Sequence, residues 1–108
     1  MSALFVYVTT GSMAEARAVG RALIEARLAA CVNVIPGMRS MYHWQGAVEE
    51  DEEIVVIAKT RAELLDRVTE TIKAVHSYDC PCVVALPIEG GKPAFLDWIE
   101  AETSGASG

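Results

Sequence analysis

The stretch His76-Ser77-Tyr78-Asp79-Cys80-Pro81-Cys82 puts an imidazole, a carboxylate and two of the chain's three thiols within seven positions. Monovalent copper favours thiolate and imidazole donors, and two or three of them suffice for linear or trigonal binding. In an extended segment the side chains of Cys80 and Cys82 point to the same side. His76, Cys80 and Cys82 are therefore a candidate metal set, with Pro81 limiting the backbone entropy lost on binding. Zinc fits less well, because a structural site takes four ligands and Asp79 would have to complete it. The competing reading is structural. Free cysteine behaves as a small hydrophobe, so Cys82 would open a buried strand while His76 caps the last carbonyls of a helix. Thiols two residues apart are common by chance, so the structural reading carries the greater weight. A Cys80–Cys82 disulfide is a minor third option.

Other candidates are weaker. Cys31 lies between an alanine and a valine in an apolar run and reads as a buried thiol. Glu49-Glu50-Asp51-Glu52-Glu53 reads first as a solvated, edge-protecting strand section. Alternation puts Glu49, Asp51 and Glu53 on one face and Glu50 and Glu52 on the other. Tyr42, His43 and Trp44 cluster beside a turn, where aromatic enrichment suits an oligomer interface, and alternation turns His43 away from its neighbours. Gly90-Gly91-Lys92 lacks the remaining glycine and the Ser/Thr of a phosphate loop. No Ser-His-Asp or Cys-His-Asn order stands out, and no enzyme is expected.

The elements that must position these residues follow from periodicity. Leu4–Val8 is a nearly continuous apolar run, suited to a central strand buried on both faces. Ser12 and Glu15 form a capping box for a helix running to about Leu28, with Ala16, Val19, Leu23 and Ile24 as its apolar stripe. Ala30–Pro36 is a second strand, with a bend or bulge at Gly37. The chain then returns through Gln45-Gly46 as a long hairpin that carries Ile54–Ala58 deep into the sheet. Thr60 and Glu63 read as a second capping box, followed by Leu64, Leu65, Val68, Ile72 and Val75 at helical spacing. Cys82–Ile88 is a fourth strand, and Pro93 opens a short helix carrying Phe95, Leu96, Trp98 and Ile99. Residues 103–108 read as a flexible tail. The order β-α-β-β-α-β plus a C-terminal helix is the α+β, ferredoxin-like two-layer pattern.

Composition sets the surroundings. A chain of 108 residues is one domain, spanning 1–108. Its 52% hydrophobic content and mean hydropathy of +0.27 are high for a small lone domain, which points to burial between subunits. A net charge of −6 and a pI near 4.8 argue against nucleic acid and favour attraction of cations. No apolar run approaches the length of a membrane span and no signal peptide is recognisable, so a cytoplasmic protein without a membrane partner is expected. An odd number of cysteines in a reducing compartment argues against structural disulfides.

Leu28–Gly46 (LAACVNVIPGMRSMYHWQG), Asp51–Thr60 (DEEIVVIAKT), the set His76, Tyr78 and Pro81, and the late Trp98-Ile99 together resemble the CutA family of divalent-cation tolerance proteins, from about Leu4 to Ile99. The resemblance implies a ferredoxin-like fold in a tight homotrimer, similar in architecture to PII signalling proteins. It also implies a role in heavy-metal tolerance, with copper or other divalent cations as ligands and no cofactor required for folding. The family's proposed ligands include a cysteine at the end of the first strand and a histidine pair ahead of the tyrosine. Here those positions read Val8 and Val75-His76, so only His76 carries over. The family's His-Pro-Tyr-Glu-x-Pro-Glu is His-Ser-Tyr-Asp-Cys-Pro-Cys in this chain, which makes Cys80 and Cys82 its own additions. Glu53 matches a family position, and Lys59 is its expected partner across an intersubunit cleft that Trp44 and Tyr78 would also line. Threefold symmetry could also gather the acidic hairpin residues into a weak site for calcium or magnesium. Two alternatives stay open: a PII-like trimer whose clefts bind a small anionic ligand, and a structural trimeric scaffold.

Overall fold

The computed structural model describes residues 2–105. Chain order is β1 (Ala3–Thr10), α1 (Met13–Glu25), β2 (Cys31–Trp44), β3 (Ala47–Arg61), α2 (Leu65–Val75), β4 (Val83–Pro87) and α3 (Pro93–Thr103). The strands form one antiparallel sheet in the order β2-β3-β1-β4, the ferredoxin-like arrangement expected from the sequence. Period-two alternation sends Val6, Val8, Val56 and Ala58 to one face, where they meet Ala16, Val19 and Leu23 of α1 and Val68 and Ile72 of α2. These side chains are almost wholly out of water, so each of the larger ones contributes about 1.5–3 kcal/mol of burial.

The opposite face differs from expectation. β1 is not buried on both sides in the single chain, since Phe5 remains 37% exposed. By register Phe5 lies beside Leu86 and Lys59, and α3 covers only part of this face, with Phe95 near Lys59. Ile35, Val84 and Leu86 are each about half exposed there.

Local details depart from the sequence reading in several places. Helix α1 stops at Glu25 rather than near Leu28, because Arg27 takes a left-handed φ of 56° and the Leu28 amide bonds back to the Leu23 carbonyl at 2.9 Å. The Ser12 hydroxyl accepts from the Glu15 amide at 3.2 Å, but the Glu15 side chain turns inward and does not complete a capping box. Ile24 lies 41% exposed, outside the buried stripe. Thr60 does not cap a helix at all. It is the buried penultimate residue of β3, its hydroxyl donates to the Leu28 carbonyl at 2.6 Å, and a single 3-10 turn, Ala62–Leu64, leads into α2.

Strand β2 runs unbroken past Pro36, absorbing the expected bend as a bulge between Ile35 and Met38 where Gly37 has φ 83°. The hairpin turn sets Gln45 and Gly46 at φ 50° and 83°, the paired positive angles that a two-residue turn between twisted strands demands. The expected tail at 103–108 starts too early, since Thr103 is fully buried in the last turn of α3. Its hydroxyl takes a hydrogen bond from Arg61 Nε at 2.9 Å and its carbonyl one from Nη2 at 3.1 Å. Residues 106–108 lie outside the described residues.

Candidate functional site

His76 is built into the fold. Helix α2 ends at Val75, the His76 amide closes on the Ile72 carbonyl, and the extended backbone of His76 sends its ring inward, where the side chain has no exposed surface. Its Nε2 lies 2.7 Å from the Thr9 carbonyl at the end of β1, and the Tyr78 amide lies 3.1 Å from Nδ1. A carbonyl can only accept and an amide can only donate, so Nε2 carries the proton and Nδ1 receives one from Tyr78. Both ring nitrogens are thereby committed. His76 ties β1 to the α2–β4 crossing; the expected capping of α2 carbonyls by its ring does not occur. Glu15 Oε1 is buried 3.3 Å from Nδ1 and has no hydrogen-bond partner among the described residues, which explains where the missing half of the capping box went.

After His76 the chain bends through Tyr78–Cys80. The Tyr78 ring packs tilted against His76 with centroids 4.6 Å apart, and its hydroxyl donates to Glu53 on β3 at 2.9 Å. Gly11 leaves room for that hydroxyl, since a Cβ there would stand 3.2 Å from it. Burial, then the Glu53 carboxylate, pushes the Tyr78 phenol up to about 12. Tyr42 on β2 donates to Asp51 on β3, and that bond with the surrounding carboxylates raises its phenol to about 12 as well.

Together these residues wall a groove of about 780 Å³ between the hairpin and the α2–β4 crossing. Tyr42, Trp44, Glu49, Asp51 and Glu53 form the hairpin side, and Tyr78, Asp79, Cys80 and Cys82 the crossing, with Thr9 at its base. The alternation expected of the acidic run holds. Glu49, Asp51 and Glu53 face the groove, whereas Glu50 and Glu52 pair with Arg39 at 3.1 and 4.0 Å on the other side. The walls carry carboxylates, phenols and thiols, and among the described residues neither lysine nor arginine contributes to them. Such a surface attracts cations and repels anions.

The sequence-predicted residues are thus divided. Trp44, Glu53, Tyr78, Cys80 and Cys82 are brought together. His76 stands behind the wall with its nitrogens spent, and among the described residues no three His, Cys, Asp or Glu side chains converge on one point as a metal cage. Of the trio His76, Cys80 and Cys82, the two thiols are the members that line the groove. Those thiols are also not strand-buried: both are exposed, and β4 begins only at Val83. Partial burial and the nearby Glu53 charge raise the Cys82 thiol above its ordinary value. Val8, where the resemblance places a cysteine ligand, is a fully buried core residue.

Lys59 is absent from this groove within the subunit. It stands six residues from Glu53 along β3, roughly 20 Å at about 3.3 Å per residue. There its ammonium donates to Asn33 and lies 5.5 and 6.0 Å from the Phe5 and Phe95 ring centroids. Cys31 pairs with Lys59 at that same far end and is half-buried rather than fully buried. Sequence reasoning did not assign Thr9 or Glu15 to the site, and weighed Asp79 only as a fourth zinc ligand. Alternation was the available signal for Glu49 and Asp51, whereas nothing local distinguishes Glu15 from an ordinary capping glutamate.

Comparison with known proteins covers most of the chain. Residues 4–102 match the family model described as CutA1 divalent ion tolerance protein. The divalent-cation tolerance protein CutA of Thermus thermophilus is 45% identical over 98 residues, covering 91% of this chain and 95% of that protein. The chloroplastic protein CutA 1 of Oryza sativa is 45% identical over 100 residues, 93% of this chain, which spans only 56% of that longer relative. The crystal structure of CutA1 from Oryza sativa superposes with a TM-score of 0.93 at 44% identity, covering 95% of this chain and 94% of that one.

Proposed function

The chain belongs to the CutA1 divalent ion tolerance family, and from that premise we propose that it is a metal-response protein that binds copper or another metal cation without turnover, as a cytoplasmic homotrimer. The observation that carries the binding reading is the groove itself, where Glu53, Asp79, Cys80 and Cys82 stand together without a lysine or arginine among the described residues that line it. Cys80 and Cys82 suit a soft ion in two-coordinate geometry, while the carboxylates supply attractive charge. The trimer reading is supported by the sheet face opposite α1 and α2, where Phe5, Ile35, Val84 and Leu86 present an apolar surface that α3 covers only in part. Free cysteines suit a reducing compartment.

Titration of the reduced protein with monovalent copper against a competing chromogenic chelator tests the binding. Wild type should hold copper that the Cys80→Ser/Cys82→Ser double variant loses; identical binding by the two sinks the thiol site. Light scattering should give three times the 11.6 kDa chain, and a monomer at micromolar concentration would overturn the trimer. A PII-like site for a small anion would need Lys59, which lies outside the acidic groove of its own subunit, to meet Trp44 and Tyr78 across an intersubunit cleft, and a thermal-shift screen of nucleotides and small anions distinguishes it.

A further inference from the structure

The exposure of both thiols removes the reason the sequence offered for them. A cysteine that fills a strand core needs no chemistry, but Cys80 and Cys82 both line the open groove as free thiols. Their placement suits each other. Two residues in extended backbone separate Cα atoms by at most about 7 Å. Disulfides span Cα distances of about 4.4–6.8 Å, so a two-residue separation brings the pair within or close to that range. Pro81 restricts the linker, so little freedom is lost on closure. The third cysteine, Cys31, lies opposite Lys59 at the other end of the sheet and cannot compete.

We propose that Cys80-Pro81-Cys82 is a peroxide-oxidisable dithiol, a modification site that closes reversibly to a disulfide on the wall of the groove. The thiolate of one cysteine attacks one oxygen of a hydroperoxide; the O–O bond breaks, the other oxygen leaves as hydroxide or alkoxide and is protonated by water, and the sulfur, oxidised by two electrons, becomes a sulfenic acid. The sulfur of the other cysteine then attacks this sulfur. The S–S bond forms, the S–O bond breaks, and the departing hydroxide leaves as water with the second thiol's proton. With hydrogen peroxide, two thiols and one peroxide become one disulfide and two waters. A two-residue disulfide is exposed and strained, properties of labile bonds that a cellular thiol reopens. Closure would take both sulfurs from any metal ion in the groove, a consequence that rests on the proposed metal binding; the oxidation itself does not.

The test is hydrogen peroxide treatment of the full chain, followed by thiol counting and intact mass. Wild type should lose two of its three thiols and two hydrogen atoms in mass, both restored by dithiothreitol. Cys82→Ser and Cys80→Ser should each stop at a sulfenic acid that dimedone traps and form no internal disulfide. Cys31→Ser should behave as wild type. Retention of all thiols, a disulfide involving Cys31, disulfide-linked dimers, or sulfinic acid alone would each overturn the proposal. If the disulfide forms yet copper uptake is undiminished, the proposed metal binding at these sulfurs falls while the oxidation stands.

Discussion

Replacing His76 with alanine separates a structural histidine from a metal ligand. The ring gives a proton to the Thr9 carbonyl and takes one from the Tyr78 amide, with its side chain shut off from water. Truncation leaves both backbone groups without a partner. The buried Thr9 carbonyl costs about 1–3 kcal/mol when orphaned, whereas the part-buried Tyr78 amide can turn to water, so the variant should lose about 1–3 kcal/mol before any contribution from the cavity. For a domain of this size each kcal/mol lowers Tm by roughly 4–8 °C, which puts the expected fall at about 4 °C or more. Thermal melts should compare both proteins at equal protomer concentration, because assembly makes Tm concentration-dependent. The copper stoichiometry of the folded variant should match wild type, the reverse of the pattern expected for Cys80→Ser/Cys82→Ser. A melt within about 2 °C of wild type, less than half the shift from one kcal/mol, together with lost copper binding, would refute the structural assignment and restore His76 as a ligand.

Three further outcomes follow from the same structure. Tyr42 and Tyr78 should ionise near 12 in an alkaline absorbance titration. Because the folded values lie above the unfolded value of about 10, their stabilisation is complete below pH 10 and is lost as pH rises towards 12; ionisation of all tyrosines near 10 would contradict both hydrogen bonds. Gly46→Ala places a Cβ at φ 83° in open space, so its cost is backbone strain alone, about 1–2 kcal/mol by urea denaturation, and an unchanged midpoint would rule out the turn geometry. Thr60→Val keeps the shape but orphans the Leu28 carbonyl, and should cost about 1–3 kcal/mol; a neutral result would mean that the hydroxyl is not the carbonyl's donor.

The elements and their order were legible because periodicity is a local property. The alternation of Val6 and Val8, the stripe of Ala16, Val19 and Leu23, and the Gln45-Gly46 turn each state their geometry within a few residues. Alternation also sorted Glu49, Asp51 and Glu53 from Glu50 and Glu52. Local signals misled where a distant partner outbid them. Thr60 and Glu63 have capping-box spacing, yet the Leu28 carbonyl, thirty-two residues away, claims the threonine hydroxyl. Glu15 has the same spacing from Ser12, yet its carboxylate turns to His76. Thr103 looked like tail until Arg61 reached it across forty-two residues.

By itself, then, the sequence determined the α+β order, the acidic groove-facing set, and the family resemblance that the comparisons bear out. Those rest on side-chain type and on backbone periods of 2 and 3.6, which need no knowledge of partners. Only the tertiary structure decided the status of the HSYDCPC stretch. Spacing puts His76 within reach of two thiols, but a buried imidazole must satisfy both nitrogens, and the Thr9 carbonyl and Tyr78 amide already do so. Where β4 begins likewise depends on the reach of its pairing with β1, from Val83 to Pro87, and that pairing stops short of Cys82. The two thiols consequently stand in the open groove instead of the core.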